Sequence, residues 1–195
     1  MLATTIAAPT LAETAQAYHA MPHQPDHPLV VMAYRALSRV IQRQYWEIRQ
    51  SFIVEHVADD PYRTSRELFA DLDRGRLRVL LTDTDEMPSD HPMLATFKVG
   101  TFNAKPVLLN DAFRAVHDVY GHYRTGQGFG PSGELAPWQA HRDTMPSAAW
   151  PALWCETRGQ NAWTNAHADH ADRPLSERPF AAQKAGIVSA RFWAA

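Results

Sequence analysis

NDAFRAVHDVYGH, residues 110–122, is the stretch on which the reading of this chain turns. Asn110 or Asp111 is placed to cap a helix, since a short polar side chain there can accept from an amide that the first turn leaves unpaired. Phe113, Val116, Val119 and Tyr120 recur behind it at helical spacing and form an apolar stripe. His117 lies one turn beyond Phe113 on that stripe. His122 follows five residues later. On an ideal helix that is a rotation of roughly 500°, which leaves the two rings about 140° apart. Gly121 offers a solution, because a left-handed glycine would end the helix and turn His122 back toward His117.

The spacing differs from H-E-x-x-H, whose histidines share one continuous helix face, and so does not match a zinc protease. A third ligand is expected from elsewhere in the chain. Glu156 stands in the apolar run AAWPALWCE, where an unpaired carboxylate is costly and calls for a cation. Two neutral imidazoles and a carboxylate form the facial set of non-haem Fe(II) oxygenases and leave positions open for dioxygen and a substrate. The alternative is that His117 and His122 are hydrogen-bonded structural residues and that Glu156 pairs with Arg158 or another arginine.

Working outward, Val30, Tyr34, Leu37, Ile41, Ile48 and Phe52 predict a long amphipathic helix from about Asp26 to about His56, with Arg35, Arg39, Arg43 and Arg49 on its wetter sides. Thr64 with Glu67 predicts a capping box for a short helix closed by Gly75. RLRVLLT, residues 76–82, reads as a strand, and two short strands are expected at 95–102 and 106–109. Helices are expected from Ser132 to about Thr144 and from Ser147 toward Gly159. Residues 1–25, rich in Ala, Thr and Pro, read as a loosely ordered N-terminal arm, and 26–195 as a single metal-binding catalytic domain. The fold class expected is α+β, mostly helical, with a small sheet or β-ribbon beside the metal-bearing helices.

With these residues in view, AKPVLLNDAFRAVHDVYGH resembles the segment of the pterin-dependent aromatic amino acid hydroxylases in which a Lys-Pro pair precedes His-Glu-Leu-Leu-Gly-His. LWCETRG resembles the later Val-Glu-Phe-Gly context of their iron carboxylate. The resemblance spans about residues 95–160. It implies a hydroxylase-like core, with His117, His122 and Glu156 on iron and Asp118 matching the Glu that approaches the pterin. Those enzymes carry an Arg before the Lys-Pro pair, where this chain has Thr101, so an aromatic amino acid substrate is not expected. The chain is closer still to bacterial and phage proteins that share FRAVHD..GH, an E...W..H helix and ETRGQN.

Glu134, Trp138 and His141 fall on one helix face. Glu134 and His141 are expected to orient a ligand, move a proton or bind a second metal, with ordinary helix packing as the alternative. Arg158 is a candidate clamp for an anionic substrate beside Trp138, or a structural ion pair. His167 and His170, in the loop-like AHADHADRP, are expected to face solvent. The net charge of −2 sets nucleic acid aside as a partner. Cys155, the single cysteine, allows no internal disulfide. The first twenty residues match neither a secretory nor a mitochondrial leader, no run is long enough for a membrane span, and a cytoplasmic location is expected.

The expected function is mononuclear non-haem iron oxygenase or oxidase chemistry on a small molecule, with dioxygen, Fe(II) and a pterin or other reductant. The rivals are a zinc-dependent hydrolase using the same ligands and a non-catalytic metal-binding accessory protein.

Overall fold

The computed structural model describes residues 8–100, 104–129 and 135–194. Its longest element is α2 (Pro28–Ser51), which follows α1 (Leu11–Ala20). Pro28 opens α2 where no amide partner is lost, and the His27 ring accepts from the Leu29 amide. Val30, Tyr34, Leu37, Ile41, Tyr45 and Ile48 make its buried stripe, while Arg35, Arg39, Arg43 and Arg49 stay exposed as expected. Each large apolar side chain so buried is worth about 1.5–3 kcal/mol.

The helix stops short of the expected His56. IVEHV is rich in β-branched residues and forms β1 (Ile53–Val57) instead. β1 pairs in parallel with β2 (Arg76–Leu80), Ile53 opposite Arg76 and Val57 opposite Leu80. The crossover contains α3 (Ser65–Leu72), capped by Thr64, whose hydroxyl accepts from the Glu67 amide. The return half of the box differs from expectation, because the Glu67 carboxylate accepts from the Arg63 amide. Gly75 reverses the chain after the helix with φ +75°. A second two-stranded sheet pairs β3 (Thr96–Lys98) antiparallel with β4 (Pro106–Leu108). The molecule is thus mostly helical with small sheets.

α4 (Leu109–Val116) follows β4 directly. No side chain caps it. Asp111 instead accepts from the Thr82 amide at 2.9 Å and the Thr82 hydroxyl at 2.6 Å, and Arg114 donates to the Leu80 carbonyl at 3.1 Å. These bonds pin the end of β2 to the helix that carries His117. α5 (Leu135–Asp143) follows, and the expected start at Ser132 lies outside the described residues. A last helical run starts with a 3-10 turn at Ser147–Ala149 and continues through α6 (Trp150–Trp154) and α7 (Gln160–Ala166), passing Gly159 without a break.

The loosely ordered arm expected over residues 1–25 is corrected for 11–20. Thr10 and Glu13 form a reciprocal capping box for α1, and Ala15 and Tyr18 are buried. The Tyr18 hydroxyl donates to the Ala182 carbonyl, and Lys184 donates to the His19 and Met21 carbonyls at the C-terminal end of the helix. Among the described residues no helix is long and apolar enough to cross a membrane.

Candidate functional site

The chain solves the problem of the two histidines without a left-handed glycine. Gly121 is not among the positive-φ residues, and His117–Tyr123 continues α4 as a π-helix. A π-helix, bonded i→i+5, takes roughly 4.4 residues per turn, so five residues return to within about 50° of the starting direction. The Arg124 amide accordingly donates to the Val119 carbonyl at 3.0 Å, and the Gln127 amide to the His122 carbonyl at 3.2 Å. The Thr125 hydroxyl donates to the Gly121 carbonyl, satisfying a group in the widened turn. His117 and His122 end with ring centroids 4.6 Å apart, edge to face.

α5 brings in a third imidazole. His141 is fully buried and stacks on His117 with centroids 5.2 Å apart, its Nε2 lying 3.2 Å from His117 Nδ1. Burial, then the neighbouring His117 and His122, hold its pKa well below the usual histidine range, so the ring is neutral. His122 Nδ1 faces the Gln127 carbonyl at 3.1 Å, which assigns the proton to Nδ1 and leaves Nε2 as a lone-pair donor. His141 Nδ1 has no hydrogen-bond partner among the described residues.

This close approach explains Gly121. A Cβ there would meet His141 Nε2 at 3.1 Å and His117 Nδ1 at 3.2 Å. Gly121→Ala is therefore expected to spread the imidazole pair, and a metal held by that pair would be retained roughly 10–100-fold less well, as when ligand orientation is disturbed. Global stability should change by no more than about 1 kcal/mol, because alanine is the better helix former. Paired metal titration and thermal melts check both statements, and unchanged affinity would remove the pair from the site.

Glu156 also lies in a π-helix, Cys155–Gly159, where the Thr157 hydroxyl bonds the Leu153 carbonyl at 2.7 Å. Its carboxyl accepts from the Tyr34 hydroxyl and, at 3.4 Å, from Gln160 Nε2. Burial raises its pKa to about 7 against the opposing pull of those two bonds. His91 Nε2 lies 3.7 Å from the same carboxylate oxygen that Tyr34 engages. That contact is not an ion pair, since burial pushes His91 down to about 4 and its Nδ1 accepts from the Met93 amide. Among the described residues no arginine pairs with Glu156.

His117, Asp118 and Glu156 line one cavity of about 360 Å³. Trp138 and Arg158 do not line it. The Arg158 guanidinium lies 5.8 Å from the centroid of the buried Trp138 ring, with that of Arg142 at 4.8 Å. The anion clamp expected of Arg158 in this cavity is therefore corrected to a cation–π contact between α5 and the second π-helix. Glu134 and Thr101 lie outside the described residues. His167 and His170, expected in solvent, are buried and contact Trp163 and each other. Tyr34 and His91 were missed as site residues. The signal for Tyr34 was its place on the α2 stripe, and His91 gave none in its loop.

Among the described residues no group of three or more His, Cys, Asp or Glu side chains is arranged to hold a metal ion. The structure does provide a nitrogen pair at ligand spacing. Two nitrogens each about 2.1 Å from one ion, and about 100° apart as seen from it, lie about 3.2 Å from one another. That is the separation of His117 Nδ1 and His141 Nε2. Without an ion the same spacing serves an N–H···N hydrogen bond. Compared with family models, curated proteins and solved structures, the chain matches none of them.

Proposed function

We propose that the chain is a mononuclear non-haem iron oxygenase or oxidase with a hydroxylase-like core, acting on a small molecule in the cavity between His117 and Glu156. The observation that carries this reading is the π-turn, which sets His117 and His122 on one face against the neutral His141. π-turns interrupt α-helices at a cost and recur at functional sites. His117 and His141 would hold the ion through the facing nitrogens, and His122, whose Nδ1 is engaged by the Gln127 carbonyl, would have to bring its Nε2 round to join them. Iron so held would supply a centre for dioxygen activation.

The chain's own groups prepare the rest of the site. The Gln127 carbonyl orients His122, and Phe113, tilted against both His117 and His141, helps keep water from the imidazoles. Glu156, expected as a metal ligand, is better suited to be the cavity acid. Its Oε1 is engaged by Tyr34 and the carboxyl keeps its proton to near neutrality, so it is placed to give a proton to a substrate and take it back. Asp118 lines the same cavity on the histidine side.

Glu156→Gln tests this division of roles. The amide keeps the volume and the Tyr34 bond but cannot exchange a proton, so iron content is expected to persist while oxygen-dependent turnover falls by roughly 10²-fold or more. Loss of iron from this variant would return Glu156 to the ligand set. A screen with an oxygen electrode, with and without a tetrahydropterin, supplies the substrate for the assay.

The all-imidazole character of the cluster favours a second reading, zinc-dependent hydrolysis, with Glu156 as general base. Tightly held zinc and no oxygen uptake would select it.

A further inference from the structure

The lining of the cavity has a charge that the sequence did not suggest. Asp83 and Glu86 reach it from the loop after β2, Asp118 from the first π-helix and Glu156 from the second, while Arg114 is the one Lys or Arg among the described residues that line it. Arg114 is partly spent, since its Nη1 donates to the Leu80 carbonyl at 3.1 Å. The carboxylates stand on three separate elements around an open cleft of about 360 Å³, within the range of small-molecule sites. At the rim stands Phe180, a residue 91% exposed although it borders the cavity. An aromatic face held in water beside a ring of carboxylates suits a cation that is attracted by both.

We infer that the cavity takes a small organic cation, a molecule bearing an ammonium or guanidinium group, and not an anion. The inference rests on the proposed function only in taking this cavity as the substrate site. Asp83 and Glu86 draw the cation in, Phe180 covers it from the rim, and its far end lies toward Glu156 and His117. A carboxylate or phosphate entering the same space would face the charges of Asp83, Glu86 and Asp118, and among the described lining residues Arg114 is the one Lys or Arg that could meet it. The field focused in such a cleft raises the local concentration of ligands of opposite sign.

The test uses the full chain freed of metal with a chelator, so that it does not depend on iron or on turnover. Putrescine and succinate, a dication and a dianion of equal carbon number, are titrated calorimetrically into the wild type, into Asp83→Asn/Glu86→Gln and into Glu86→Gln alone. All of these substitutions are at exposed positions. Putrescine is expected to bind, more weakly as salt is raised, and succinate is not. Binding should be roughly tenfold weaker in the double variant and intermediate in the single one, with unchanged melting temperatures. Succinate binding more tightly than putrescine, undiminished putrescine binding in both variants, or no putrescine binding at millimolar concentration would each overturn the inference. Iron titration of the same preparations separates the two claims, since lost amine binding with intact iron binding removes this inference alone.

Discussion

His117→Ala and His122→Ala should each yield a folded chain that no longer retains iron. Removing a ligand costs more than the roughly 10–100-fold lost when only a supporting group is removed, so iron should leave on gel filtration. The structural penalty is smaller. His122 gives up one buried hydrogen bond to the Gln127 carbonyl, about 1–3 kcal/mol with the orphaned acceptor included, and His117 is only half-buried. Metal analysis after anaerobic purification, beside a circular dichroism melt, reads both quantities. Unchanged iron in both variants would remove the histidine turn from the site.

The largest effect on stability is expected at Gly186. A Cβ at this position would lie 2.4 Å from the backbone carbonyl oxygen of Pro22 and 2.7 Å from Met21 Cγ. A backbone atom cannot swing aside as a side chain can, so the two segments must separate. Their contact is held by the Gln24 amide on the Ala185 carbonyl at 2.7 Å and the Ala185 amide on His23 Nδ1 at 3.0 Å. Gly186→Ala should cost about 3 kcal/mol, with no gain in helix propensity to offset it. For a chain of this size that lowers the melting temperature by roughly 6–12 °C. A melting temperature within a degree or two of the wild type would mean that the close approach is not rigid.

The long helix, its exposed arginines and the strand at 76–80 were legible because burial on one face leaves a period in the sequence. The end of α2 was not, since Phe52 prolongs the apolar spacing while IVEHV pairs with a strand more than twenty residues ahead. α1 was overlooked although T-x-x-E at 10–13 announces its cap, because its apolar face is mostly alanine and the contacts that bury Tyr18 come from the far end of the chain. At the site, the need for His122 to return toward His117 was visible in the spacing. The device was not, because a glycine invites a left-handed turn equally well, and what decides is the approach of α5 to within 3.1 Å of where a Cβ would stand. The environment of Glu156 was equally hidden. Its partner Tyr34 lies 122 residues away, and no local pattern reports that contact.

The most direct test of the account is the position of the metal itself. Crystals of the full chain grown anaerobically with iron, measured on both sides of the iron absorption edge, should show one anomalous peak between α5 and the first π-helix. It should lie about 2.1 Å from both His117 Nδ1 and His141 Nε2, the distance at which first-row ions sit on imidazole. A crystal with iron bound elsewhere, and with the two nitrogens still 3.2 Å apart and nothing but a proton between them, would contradict it.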